Sequence, residues 1–252
     1  MIAVKDIQKK YGEKAVVADV TLQLPKEKII AFIGSNGAGK STLISIISRT
    51  LTKDSGDVYI DEIELANWKT QVLAQKLSIL KQTNHLNIRL TVRELVEFGR
   101  FPYSKGRLTP EDHKKVEQAI AYMELQTLEN RYLDELSGGQ RQMAFIAMVI
   151  AQDTDYIFLD EPLNNLDMRH SVQIMKVLRR LVDEMGKTIM VVIHDINFVS
   201  YYADHIVAMK EGKVICQGDT EQVMNQEVLK EIYGMNIDVQ TMNGKKICLY
   251  YD

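Results

Sequence analysis

An α/β fold with an antiparallel β edge and an inserted helical block is predicted by three observations. The runs "DYIFLD" and "TIMVVI" are nearly continuous in apolar residues, as parallel strands covered on both faces are. A further apolar run, "KIIAFI", passes directly into the glycine-rich stretch "GSNGAGKST" and then into the helical pattern "STLISIISR". Between these strand regions, positions 91–151 carry helical periodicity in place of strand signals.

Taken in order, the N-terminal part alternates the β-branched runs "AVVADVTLQL", "KIIAFI" and "GDVYIDEIEL" with turn residues, which suits an antiparallel edge leading into a buried strand. The stretch Gly34–Thr42 then meets the pattern G-x-x-x-x-G-K-[ST] through Gly34, Gly39, Lys40 and Ser41. Glycine loses much conformational freedom on ordering, so a cluster of glycines needs a backbone reason. Across Gly34, Ser35, Asn36, Gly37, Ala38 and Gly39, successive N–H groups can turn inward around a phosphate chain. Lys40 then reaches the outer phosphates and Ser41 offers a hydroxyl to Mg²⁺, while Thr42 lies in the first turn of a helix whose dipole favours the same anion. The expected core is that of a P-loop NTPase.

In the helical block, "TVRELVEFGR" starts at a Thr91 cap with Glu94 three residues on, and "TPEDHKKVEQAIAYMEL" caps at Thr109 with Pro110 at the first helical position. The motif "LSGGQRQ" precedes the apolar helix "MAFIAMVIAQ". Ser137 can cap that helix while Gly138 and Gly139 expose backbone N–H groups, which makes either a second anion site or an ordinary capped glycine turn. At "DYIFLDEP" an apolar strand ends in Asp160, Glu161 and Pro162. Ligands of open parallel sheets sit beyond the carboxyl ends of the strands, so these carboxylates are expected beside the phosphate loop. Asp160 suits a Mg²⁺ ion held through its water shell, and Glu161 stands where an attacking water needs a base or a polariser. The tail from Gly218 reads as one helix, "TEQVMNQEVLKEIY", and then a hairpin of "DVQTM" and "KKICLYY" about Asn243-Gly244.

Bulk properties narrow the class. The 252 residues, 46% of them hydrophobic, are ample for a core and argue against disorder. A formal charge of -3 gives no basic excess of the kind that binds nucleic acid backbones. Cys216 and Cys248 lie far apart without CxxC spacing, which suits a reducing compartment and small apolar roles. The N-terminus has no apolar signal core, and the longest apolar run, "MAFIAMVIA", is too short to span a bilayer, so a cytosolic chain is expected.

Gly34–Ser41, Gln82 at the end of "KLSILKQ", Leu136–Gln140, Tyr156–Glu161, "NNLD" at Asn164–Asp167 and His194 in "VVIHD" occur in the order and spacing of ATP-binding cassette (ABC) ATPases. The chain resembles that family over essentially its whole length. The resemblance implies a single cassette over 1–252, with a nucleotide-binding core at 1–90 and 152–217, a helical subdomain at 91–151 and a C-terminal helix and hairpin at 218–252. It implies a head-to-tail homodimer on ATP binding, each ATP lying between the phosphate loop of one subunit and Ser137, Gly138, Gly139 and Gln140 of the other. Tyr11 would then stack on adenine, Gln82 reach Mg²⁺ or the attacking water, His194 contact the γ-phosphate, and Asp167 act across the dimer. His85, His113, His170 and His205 are assigned to the surface. Asn164 and Asn165 stand where Ser and Ala are frequent in the family, Met143 where Arg is common, and Ser35 where Pro is.

Within the family, "IRLTVRELVEFGRFPY" with the polar helix behind it is similar to the ATPases of bacterial importers for iron–siderophore complexes, haem and vitamin B12. "FGRFPYS" and "EPLNNLDMRHS" most resemble the ferric-siderophore members. That implies two integral-membrane permease subunits as partners, a substrate-binding lipoprotein as an indirect one, and a place on the cytoplasmic face of the cell membrane. Phe98, Phe101 and Tyr103 either line the groove for a permease helix or pack in the helical core. A soluble clamp ATPase of DNA repair or translation is the rival class, though the chain carries neither a long coiled coil nor a second cassette.

Overall fold

Alternating buried and exposed positions build β1 (Ile2–Tyr11) and β2 (Lys14–Leu24), which pair antiparallel from Ile2 opposite Leu24 to Tyr11 opposite Lys14. The fully buried β3 (Ile29–Ile33) leads through the glycine-rich loop into α1 (Lys40–Ile47). On the other side of β1 lies β4 (Ser55–Ile60), antiparallel with Ile2 opposite Ile60. The run "GDVYIDEIEL" is not one strand. Asp61 and Glu62 both take positive φ, 48° and 68°, and fold β5 (Ile63–Glu64) back onto β4, because the mirror-image turn that joins twisted strands needs positive φ at both central residues. The structure, a computed structural model, describes residues 1–82 and 88–250, so His85 lies outside it. The chain divides into two compact units, Met1–Trp68 with Thr188–Asp252, and Lys69–Lys187.

The second unit runs α2 (Thr70–Lys76), β6 (Leu77–Leu80), α3 (Val92–Phe98), α4 (Phe101–Ser104), α5 (Pro110–Tyr122), α6 (Gly138–Ala151), β7 (Tyr156–Asp160) and α7 (Met168–Met185). Strands β6 and β7 are parallel, with Leu77 opposite Tyr156 and Leu80 opposite Leu159, so both point their carboxyl ends the same way. Reciprocal caps start three of the helices: Thr91 with Glu94, Thr109 with Asp112, and Ser137 with Gln140. Asp112 does more than cap. Its Oδ1 accepts Arg100 Nε at 2.8 Å, both side chains are about 95% removed from solvent, and Arg100 also donates to the Ala151 carbonyl at 2.8 Å. This ion pair fixes the α3–α4 corner against α5 and α6. Burial would raise the Asp112 carboxyl, but the Thr109 amide and hydroxyl and the Arg100 guanidinium outweigh it and hold the group below the usual carboxylate range.

Removing one partner of a buried pair leaves the other uncompensated. Asp112→Asn is therefore expected to cost about 3–5 kcal/mol of unfolding free energy at neutral pH, measured by urea titration. Because the folded-state pKa is depressed, this contribution is complete above the ordinary Asp range and is lost as pH falls through the depressed value, where the variant and the parent should converge.

The first unit resumes with β8 (Thr188–Val192), α8 (Ile196–Tyr202), β9 (His205–Lys210), β10 (Lys213–Asp219), α9 (Thr220–Val223), α10 (Gln226–Tyr233), β11 (Asp238–Met242) and β12 (Lys245–Leu249). Strand β3 lies between β8 and β9 and is parallel to both, with Ile29 opposite Ile189 and Ile30 opposite His205, while β10 closes the edge antiparallel to β9. The stretch "TEQVMNQEVLKEIY", expected as one helix, is two: Asn225 turns extended and its side chain accepts the Val228 amide, so it starts α10 in place of continuing α9. The β11–β12 hairpin is tied to α8 by a two-way exchange between the Asn197 side chain and the Cys248 backbone, at 2.8 and 3.2 Å.

Candidate functional site

In the first unit, the glycine-rich loop leaves the carboxyl end of β3 and is closed from behind by neighbouring backbone. A methyl carbon on Gly34 would stand 2.1 Å from the Met209 carbonyl oxygen, and one on Gly39 2.4 Å from that of Val16; both glycines also take positive φ, 142° and 98°. No other residue type fits there. Lys40, only 5% exposed, turns its ammonium back to donate to the carbonyls of Gly34 at 2.8 Å and Ser35 at 3.0 Å. The loop is thus held by backbone contacts and by Lys40, with Ser41 and Thr42 in the first turn of α1. His194 follows β8, the parallel neighbour of β3, and so stands exposed at the same end of the sheet as the loop. Tyr11 is the last residue of β1, 55% exposed, with the Lys9 ammonium 5.8 Å from its ring centroid.

In the second unit, β7 ends at the buried Asp160, and Glu161 takes φ 52°, a left-handed backbone that costs a non-glycine residue roughly 1 kcal/mol or more and is concentrated at functional positions. Gln82, two residues past the end of parallel β6, donates its Nε2 to Glu161 Oε2 at 2.5 Å. The Asn164 amide donates to the same oxygen. Two neutral donors aimed at one carboxylate oxygen orient the Glu161 side chain. Gln142 of α6 donates to the Pro162 carbonyl at 3.1 Å, so the helix that begins within the "LSGGQ" motif is tied to the turn that carries Glu161. A cavity of about 420 Å³ is lined by Gln82, Glu161, Asn164, Gly138, Arg141 and Phe145 among others. Ser137 caps α6 by accepting the Gln140 amide at 3.3 Å while Gln140 Oε1 accepts the Ser137 amide at 3.1 Å. Asp167 caps α7.

The structure therefore brings Gln82, Asp160 and Glu161 to one strand end and the phosphate loop and His194 to another. The sequence reading missed the part played by Asn164, Gln142 and His170, the last of which is held on Asp167. Asn164 follows Glu161 by three residues, the reach of a local side-chain hydrogen bond, so a signal for it was present; Gln142 meets Pro162 only through the tertiary fold.

Residues 17–164 match the ABC transporter family. The chain belongs to that family. It is 57% identical over 251 residues to the petrobactin import ATP-binding protein YclP of Bacillus subtilis (strain 168), covering 100% of both chains. It is 48% identical over 239 residues to the petrobactin import ATP-binding protein FatE of Bacillus anthracis, covering 95% of this chain and 96% of that relative. A solved dimeric ATP-binding cassette in a post-hydrolysis state, bound to ADP and inorganic phosphate, shares the fold with a TM-score of 0.78 at 31% identity over 87% of this chain and 99% of that one. The cassette is an ATPase, and among its described residues no helix is long and apolar enough to cross a membrane.

Proposed function

We propose that the cassette is the ATP-hydrolysing subunit of a bacterial importer for an iron(III)–siderophore complex. The observation that carries the hydrolytic part is the amide-clamped carboxylate of Glu161 at a parallel strand end, in a chain that also holds a preformed phosphate cradle. The cargo class rests on the full-length likeness to the two petrobactin import proteins.

Tyr11, 55% exposed, presents an aromatic ring on which adenine stacks. The loop amides from Gly34 to Thr42 wrap the phosphates, and the Lys40 ammonium moves from loop carbonyls to phosphate oxygens. Ser41, Asp160 and Gln82 carry hard oxygen donors, the kind that Mg²⁺ takes when it arrives with its nucleotide. When bound, the ion supplies neutralisation of charge on the phosphates. Glu161 accepts a proton from, or orients, the water that attacks, and His194 donates to the γ-phosphate. A second copy of the chain supplies its own Ser137, Gly138, Gly139 and Gln140 over the same phosphates, and Asp167 links the two sites.

Phe98 and Phe101, 49% and 58% exposed, line a groove of about 310 Å³ with Leu90, Leu108, Glu94 and Glu97. This groove suits an amphipathic permease helix with apolar anchors. Tyr103 instead braces α4, its hydroxyl donating to the Gln75 carbonyl at 3.3 Å and its ring covering the Arg100 guanidinium at 4.0 Å. Two permease subunits would hold the ATPase pair peripherally on the cytoplasmic face of the membrane, with a substrate-binding lipoprotein delivering cargo from outside. The test is reconstitution with candidate permeases and binding protein in vesicles. Stimulation of ATP hydrolysis by ferric catecholate or hydroxamate chelates, but not by haem or vitamin B12, is expected; stimulation by haem or vitamin B12 alone would reassign the cargo.

A further inference from the structure

The two glycines of the "LSGGQ" motif are small for different reasons. A methyl carbon on Gly138 would meet nothing within 4 Å, which leaves that face open for a ligand. On Gly139 it would stand 2.9 Å from Cγ and Nδ1 of His170 and 3.2 Å from Cδ2, so the imidazole lies directly on the Gly139 backbone. The same ring reaches the other way. His170 Nδ1 is 2.8 Å from Asp167 Oδ1, the oxygen that also accepts the His170 amide at 2.8 Å. An ionised carboxylate can only accept, so Nδ1 carries the hydrogen. The His170 amide is the leading cause that keeps the Asp167 carboxyl below the usual range, so Asp167 stays ionised.

We propose that His170 is a positioning residue that locks the Asp167 turn to the "LSGGQ" loop of its own subunit, so that the loop and Asp167 move toward a partner copy as one body. The inference rests on the two-subunit reading above. Without the ring, Gly139 would face a void and Asp167 would keep its backbone cap but lose the side-chain tether, leaving each element free to approach the partner's nucleotide separately. Such a loss falls on the assembled, reacting state and spares nucleotide binding by the free subunit.

The test uses the full chain. His170→Ala is expected to lower kcat about tenfold, the size of one lost hydrogen bond between side chains, with KM and monomer affinity for ATP within about twofold. His170→Asn, which keeps a donor near the Nδ1 position, should recover most of that loss. Gly139→Ala should push the ring away and be at least as damaging, yet add little on top of His170→Ala, because the shortened side chain no longer occupies the space. A kcat unchanged by His170→Ala, no recovery by His170→Asn, or strict additivity with Gly139→Ala would each overturn the proposal. The Glu161→Gln chain serves as the control: if it fails to dimerise with Mg-ATP, the two-subunit reading falls; if it dimerises while the cycle is additive, only the role of His170 falls.

Discussion

Lys40→Ala is expected to lower ATP hydrolysis by about 10²-fold or more and to weaken ATP binding severely, because two functions are lost at once. The buried ammonium donates to the Gly34 and Ser35 carbonyls, so it ties the loop together before any nucleotide arrives. On the proposed function the same group then meets the outer phosphates, where a charge-assisted bond is worth more than a neutral one. Removing it takes a donor from the Gly34 carbonyl, leaves Ser35 with only its bond from the Ala38 amide, and leaves a multiply charged ligand poorly compensated. Lys40→Arg should rescue little, since the planar guanidinium is bulkier and presents its donors in a fixed fork, whereas the cradle is shaped by close backbone contacts at Gly34 and Gly39. Fluorescent-nucleotide titration and phosphate release measure the two effects separately. Near-normal hydrolysis by Lys40→Ala would remove Lys40 from the phosphate site; near-normal hydrolysis by Lys40→Arg would overturn the argument from its shape.

What was legible in the sequence is what short-range chemistry decides. The caps at Thr91, Thr109 and Ser137 need only residues three positions apart, and all three form with reciprocal partners. The buried parallel strands were readable because burial on both faces leaves no polar alternation. The misreadings have equally local causes. Asp61-Glu62 lacks the glycine that usually marks a two-residue hairpin turn, so β4 and β5 looked like one strand. Asn225 sits in an otherwise helical pattern, between Val223-Met224 and the helix formers Gln226-Glu227, which hid its capping role.

His170 marks the boundary between the two kinds of information. Its bond to Asp167 spans three residues at a helix start, a spacing that could have been read as a capping pair. Its contact with Gly139 joins segments far apart in the chain and exists only because α6 and α7 fold together. The Arg100–Asp112 pair is of the second kind as well: Asp112 was visible as a helix-start acid, but nothing local says that a buried guanidinium comes to meet it. Motif spacing thus points to the candidate groups for the chemistry, while the groups that orient them are fixed by packing.

Glu161→Gln separates binding from turnover most sharply. In the structure the amides of Gln82 and Asn164 both aim at Oε2 of Glu161. A glutamine at this position can place its own amide oxygen there and keep both bonds, so the left-handed turn and the fold should survive. What it cannot do is take a proton from water or carry the charge that orients it. Hydrolysis is therefore expected to fall by about 10²–10⁴-fold, the range attributed to a positioned general base, while Mg-ATP affinity stays close to that of the parent. Binding without turnover should trap the ATP-sandwiched pair, so the variant with Mg-ATP should elute as a dimer in size-exclusion chromatography, and assembled with its permeases it should arrest iron-chelate uptake. A soluble clamp ATPase would give the trapped dimer with no uptake to arrest, so the two readouts together discriminate between the classes. A variant that stays monomeric at saturating Mg-ATP and hydrolyses it at the parental rate would take Glu161 out of the mechanism and leave its strained backbone without a functional reason.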